Sequence, residues 1–258
     1  MQSDEFVTSS DLRIGYIKPV GQPWRSVVYA AVDGMAIFEG CIVLGTVAEM
    51  EEVGALVRGH PQILSEANAE EGVGIKGEQF RWPGKRVFYE IDHALPKRSR
   101  VQDAIRHWEE KTDFKFIQRT SEPNYIVFGP GSGCSSSVGM RGGPQKITLG
   151  PNCTSGNAIH EIGHAVGLWH EQSRGDRDNF IEIVWQNIDP LARHNFEQHI
   201  DDGVDIAKYD YQSIMHYPAT AFSVNGLPTI RPRQTGVAIG QRNGLSAGDI
   251  AAVKKLYS

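Results

Sequence analysis

The stretch Ala158 to Glu171, AIHEIGHAVGLWHE, constrains this chain more than any other, because it sets three imidazoles and a carboxylate at spacings that suit one zinc ion. His160 and His164 stand four residues apart, so on a helix they project from one face and can share a metal, with Glu161 beside them. Gly167 can adopt positive φ, end the helix and turn the chain, which lets His170 approach the same ion from another side. Three neutral histidines leave a fourth tetrahedral position open, as a catalytic zinc requires. H-E-x-x-H alone also occurs on exposed amphipathic helices that hold no metal; the glycine and third histidine at fixed offsets set this stretch apart.

The rest of the chain is compatible with a large soluble domain carrying an appended segment. Its 258 residues can bury a sizeable core, and a net charge of −5 speaks against a nucleic-acid partner. No run of eighteen apolar residues exists, so no membrane span is expected. The start, MQSDEFVTSS, lacks a basic n-region and an apolar h-region, which fits a cytosolic protein or an exported one whose signal has been removed. Charge is uneven: residues 1–72 carry a net −7 and residues 73–258 a net +2. An acidic leader on a slightly basic body suits a pro-segment held partly by charge, and an acidic, solvated N-terminal face would look the same.

Within the leader, Val27 to Ala31 and Met35 to Val47 are rich in β-branched and aromatic residues, and Val47 to Arg58 has a short helical pattern. Ser65 to Gly77, SEANAEEGVGIKG, is polar and glycine-bearing and is predicted to be an exposed, cuttable linker. The body opens with a strand candidate, Arg86 to Ile91, followed by a helical pattern from Pro96 to Lys111 with Val101, Ala104, Ile105 and Trp108 on one face. Phe114 to Ile117, Tyr125 to Phe128 and Lys146 to Leu149 are further strand candidates ahead of the histidine helix. Beyond His170 the chain is irregular until Ser246 to Tyr257, a helix opened by Ser246 and Asp249 in a capping box. The fold class is therefore α+β.

GPGSGCSSSVG, from Gly129 to Gly139, lacks the Gly-Lys-Ser/Thr ending of a phosphate loop and reads as a surface loop. Cys134 and Cys153 lie nineteen apart around a strand candidate. In an oxidising compartment a disulfide between them would contribute about 3 kcal/mol; two separate buried thiols are the alternative. Cys41 sits among apolar residues in AIFEGCIVLG, where an isolated buried thiol is commonly inert packing. In a chain with an open zinc position it is also a candidate ligand, because a thiolate binds zinc well and displaces the water catalysis needs.

HEIGHAVGLWHE followed by QSRGDRDNF, and then SIMHY at Ser213 to Tyr217, resembles the astacin family of zinc endopeptidases within the metzincins, and in particular bacterial members in their pro-form. The resemblance runs from about Val73 to the end and includes GEQFRW at Gly77 to Trp82 and GSGCSSSVG with Cys153. It implies a two-subdomain catalytic domain: a mixed twisted sheet with two helices above the cleft, and a mostly irregular lower half with a C-terminal helix. It implies that His160, His164 and His170 ligate one Zn2+, that Glu161 is the general base, and that Tyr217 is an additional metal ligand that swings off to stabilise the oxyanion. Met215 matches the methionine turn beneath the zinc, and Glu171 the residue that receives the new N-terminal end after activation. The family's inhibitory F-x-G-D motif puts an aspartate on the zinc; here Phe38-Glu39-Gly40-Cys41 implies that Cys41 takes its place. Asp113 stands where the family usually has a cysteine, and Leu168 where it usually has phenylalanine.

The expectation that follows is a secreted, monomeric endopeptidase with an inhibitory pro-segment over 1–72 and a peptidase domain over 73–258. Its partners would be protein or peptide substrates, extracellular matrix among them, and an activating protease, with no nucleic acid and no membrane. Activation would cut near Gly72–Val73. Two other classes stay open on the sequence: a structural or adhesive zinc protein, which has no need of Glu161, and a cytosolic redox sensor using Cys41 as a switchable ligand. His93, His107, His194, His199 and His216 are given no ligand role.

Overall fold

The computed structural model describes residues 5–18, 23–65, 78–198 and 207–258. The leader is an antiparallel meander of β1 (Leu12–Ile17), β2 (Arg25–Val32), β3 (Met35–Phe38) and β4 (Ile42–Thr46), followed by helix α1 (Val47–Gly59). Thr46 and Glu49 cap that helix reciprocally, which fixes its start where the sequence predicts it. β1 escaped the sequence reading because Gly15 interrupts a short alternation; a Cβ there would press on the Tyr29 ring at 2.9 Å and on the tip of the Met50 side chain. Ile17, Val27, Tyr29, Ala36, Phe38, Ile42, Leu44 and Met50 form the leader's own core, closed by Val138 of the body.

The body begins with β5 (Arg86–Ile91) and α2 (Ser99–Lys111). α2 starts three residues later than Pro96 because Lys97 has a φ of 51°, which no α-helix accepts. Val101, Ala104, Ile105 and Trp108 are buried, as their spacing predicts. Strands β6 (Lys115–Gln118), β7 (Tyr125–Gly129), β8 (Cys134–Ser135) and β9 (Pro144–Leu149) complete a five-stranded sheet in the order β6-β5-β7-β9-β8. All its pairs are parallel except β8 with β9, so β8 is an antiparallel edge. Helix α3 (Ser155–Ala165) packs with α2 over the residues Val87, Ile126, Phe128, Ile147 and Leu149, and Trp108 Nε1 donates to the Ile159 carbonyl at 3.1 Å. The Cys134–Cys153 disulfide is formed and joins β8 to the loop that leads into α3.

After α3 the chain has few regular elements: short 3-10 turns, a two-stranded pair of β10 (Ile181–Ile183) and β11 (Ile230–Pro232), and the C-terminal helix α4 (Ala247–Leu256). This α+β architecture, with a sheet and two helices above an irregular lower half, is the one the sequence predicts. The leader lies in the cleft between the halves. Ser136 N donates to the Cys41 carbonyl and Val43 N to the Ser136 carbonyl, both at 2.9 Å, while Cys134 N donates to the Glu5 carbonyl at 3.0 Å. The free edge at β8 is thus taken at two points by two separate parts of the leader. The linker predicted over Ser65 to Gly77, and with it the boundary at residue 72, lies almost wholly outside the described residues.

Candidate metal centre

The site is built by one helix and the turn that ends it. Thr154 Oγ1 accepts from Asn157 N and Asn157 Oδ1 accepts from Thr154 N, so α3 starts on a reciprocal cap. It ends where Gly167, at φ 110°, turns the chain, with Gly167 N donating to His164 O at 2.8 Å and Leu168 N to Gly163 O at 2.9 Å. His160 and His164 point from the helix, and His170 returns from beyond the turn. Cys41 arrives from the leader, and the four form the only His, Cys, Asp or Glu group of metal-binding geometry among the described residues.

The donor set requires a cation. Each histidine offers its Nδ1–H to an acceptor: His160 to Ile214 O and His164 to Leu168 O at 2.8 Å, and His170 to a Glu39 carboxylate oxygen at 2.7 Å. Burial holds the imidazoles of His160 and His164 well below their usual pKa and hence neutral. The Nε2 lone pairs of His160 and His164 therefore converge with His170 Nε2 on one thiol, an arrangement that a cation satisfies. Cys41 Sγ lies 3.6, 3.4 and 3.2 Å from Nε2 of His160, His164 and His170, and the last two nitrogens are 3.3 Å apart. A zinc tetrahedron with ordinary bond lengths has N···N edges of about 3.3 Å and S···N edges of about 3.6 Å. The residues fit zinc.

Glu161 is wholly buried, and neither carboxylate oxygen has a hydrogen-bond partner among the described residues. Burial pushes its carboxyl well above the usual range; the nearby Glu5 adds to the rise and Arg242 opposes it. Met215 lies beneath α3, so close that a Cβ on Gly163 would fall 2.6 Å from its sulfur. The Tyr217 ring packs on His170 with centroids 4.7 Å apart, and its hydroxyl donates to the Glu39 carbonyl at 2.6 Å. Glu171 Oε1 accepts from Asp210 N at 2.7 Å, and burial pushes this carboxyl up to about 8.

Three residues of the centre were not found by sequence reasoning. Arg242 donates from Nη1 to the carbonyls of Ile214 and His216 at 2.8 and 3.1 Å, and from Nε to Glu5 at 2.6 Å. It therefore braces the backbone that accepts from His160. Glu5 and Glu39 reach the site from the leader, and Glu39 had a signal: it lies inside the four-residue motif that carries Cys41. His216 is buried and accepts from Tyr209 OH at 2.7 Å, which makes it part of the packing under the turn. His199 lies outside the described residues.

A helix bearing H-E-x-x-H, a third histidine beyond a glycine turn, and a methionine turn under the three define the metzincin class. The chain belongs to the astacin family of peptidases, whose sequence profile matches residues 74–258. Astacin-family enzymes use one catalytic zinc. The chain is 40% identical over 190 residues to zinc metalloproteinase nas-13 of Caenorhabditis elegans, covering 71% of this chain and 42% of that protein. It spans half or less of the length of the curated relatives it matches first. High choriolytic enzyme 1, a hatching enzyme zinc-protease from the medaka Oryzias latipes, superposes with a TM-score of 0.63 at 36% identity, over 70% of this chain and 92% of that one. Myroilysin, at 21% identity and a TM-score of 0.50 over 70% of this chain and 96% of its own, shares the fold.

Proposed function

We propose that this chain is a secreted zinc-dependent endopeptidase kept latent by residues 1–72, whose Cys41 thiolate holds the fourth position on the metal. The observation that carries the hydrolytic reading is Glu161: a buried carboxylate with two unpartnered oxygens beside the ligand histidines is costly to keep unless a water proton is its partner. A structural zinc has no need of such a group, which favours hydrolysis over the adhesive alternative.

Bound zinc supplies Lewis-acid polarisation of the scissile carbonyl and lowers the pKa of water toward about 7. His160, His164 and His170 hold it through Nε2, with Nδ1 fixed by the Ile214 carbonyl, the Leu168 carbonyl and Glu39. Glu161 takes a proton from the attacking water and returns it to the leaving amine. Tyr217, once the Glu39 carbonyl is gone, donates to the oxygen that becomes negative on the scissile carbon; one such donor is worth roughly 3 kcal/mol. The reaction is hydrolysis, so water's hydroxyl goes to the acyl carbon and its proton to the amine.

The peptidase unit is residues 73–258, and secretion is supported by the disulfide. Among the described residues no helix is long and apolar enough to cross a membrane. The deciding experiment is casein hydrolysis by the chain after proteolytic removal of the leader, with and without a zinc chelator, alongside Glu161→Ala. Chelator-sensitive cleavage, lost in Glu161→Ala while one zinc per chain is retained, is expected. Cleavage unaffected by Glu161→Ala would put the base elsewhere, and zinc-loaded protein with no cleavage would favour a binding role.

A further inference from the structure

Glu39 is the residue in the leader whose features Cys41 ligation does not explain. Its φ is 46°, a region that L-residues other than glycine rarely occupy, and Gly40 follows at 66°. On backbone grounds alone a glycine would serve better at position 39. The side chain is also fully buried, which is expensive for a carboxylate without compensation. Strain and desolvation at one residue call for something the side chain does in return.

What it does is visible in its contacts. One carboxylate oxygen accepts from His170 Nδ1 at 2.7 Å and the other from Ser173 Oγ at 2.6 Å. The other two histidines have their Nδ1–H fixed by backbone carbonyls of the body itself, Ile214 and Leu168. His170 alone takes a charged partner, and takes it from the leader. A carboxylate on the far nitrogen of a metal-bound imidazole fixes its tautomer and orientation and makes Nε2 a stronger donor.

We propose that Glu39 is a positioning residue of the latent zinc centre, supplying the outer carboxylate of a Glu39–His170–zinc triad that the body cannot supply for itself. The leader then contributes twice to the metal, directly through Cys41 and indirectly through His170. Its removal strips both contributions, so the latent chain holds zinc more tightly than loss of the thiolate alone accounts for. The inference rests on the zinc reading above.

The test is zinc affinity of the full-length chain by competition with a chromogenic chelator, for wild type, Glu39→Gln and Glu39→Gly. Glutamine keeps the shape and loses the charge; glycine suits the backbone and loses the side chain. Both variants are expected to bind zinc about 10- to 100-fold more weakly than wild type. Cobalt substitution, read by the thiolate-to-cobalt absorption band, is expected to show Cys41 still on the metal in both. Wild-type affinity in Glu39→Gln would overturn the proposal, because it would reduce Glu39 to packing. Loss of the thiolate band would also overturn it, by assigning the weaker binding to Cys41. A wild-type chain that binds no zinc would instead sink the zinc reading itself.

Discussion

Gly163 shows how tightly the centre is assembled residue by residue. It lies between the two helix histidines and faces Met215, whose sulfur would be 2.6 Å from an added Cβ. Met215 is 1% exposed, so it has little room to retreat without moving the turn that carries Ile214, and Ile214 O is the acceptor for His160. Gly163→Ala is therefore expected to destabilise the protein by about 1–3 kcal/mol, measured by denaturant unfolding, and to weaken zinc binding in the same variant. A second substitution isolates the thiol. Cys41→Ala removes the group proposed to hold the fourth position and leaves the Glu39 side chain and the strand contacts in place. Proteolysis by the uncut variant above the wild-type background is expected; equal latency in a casein assay would take the thiol out of the account.

At the scale of elements, α2 and α4 are tied by one imidazole. His107 Nε2 accepts from Leu245 N at 2.9 Å, just ahead of the α4 cap, and burial holds its pKa below the ordinary 6.5. A depressed pKa in the folded state means the unfolded chain binds the proton more readily, so stability is lost as pH falls from about 6.5 through the folded value. Thermal unfolding of wild type against His107→Gln, from pH 7.5 to 5, is expected to show a steeper fall in wild type. The elements were legible in the sequence where the apolar pattern was clear: α1, α2 and α4, and the strands β5, β7 and β9, lie within a few residues of their predicted bounds. The misses have local causes. Gly15 hid β1, and the start of α2 was set by the backbone of Lys97 and not by Pro96. The three histidines and Glu161 were legible because spacing and residue type are themselves the signal, whereas Cys41 was legible chiefly through the resemblance of Phe38-Glu39-Gly40-Cys41 to the family's inhibitory motif. Arg242 and Glu5 were not, because they meet across 237 residues of chain and nothing local to either announces such a contact; Glu39 lies inside the motif that carries Cys41, but its contact with His170 spans 131 residues and has no local signal.

Over the whole molecule the leader behaves as a small structured body with its own meander and core, seated in the cleft through Glu5, Phe6, Glu39, Cys41 and Val43. Phe6 packs on Tyr217 and Phe222 with ring centroids 4.7 and 5.2 Å away, and Val7 N donates to the Gly40 carbonyl at 2.7 Å, so the N-terminal stretch lies across the loop that carries the thiol. None of these attachments is covalent to the body. On the proposed latency, a cut between residues 65 and 78 would break one peptide bond and leave both contacts on the β8 edge intact. Severing the chain and freeing the cleft would then be distinct events joined by mass action: a clipped fragment would stay until it dissociates, and concentrated protein would recapture it. Onset of proteolysis is expected to lag behind scission seen on a gel, with a lag that shortens on dilution.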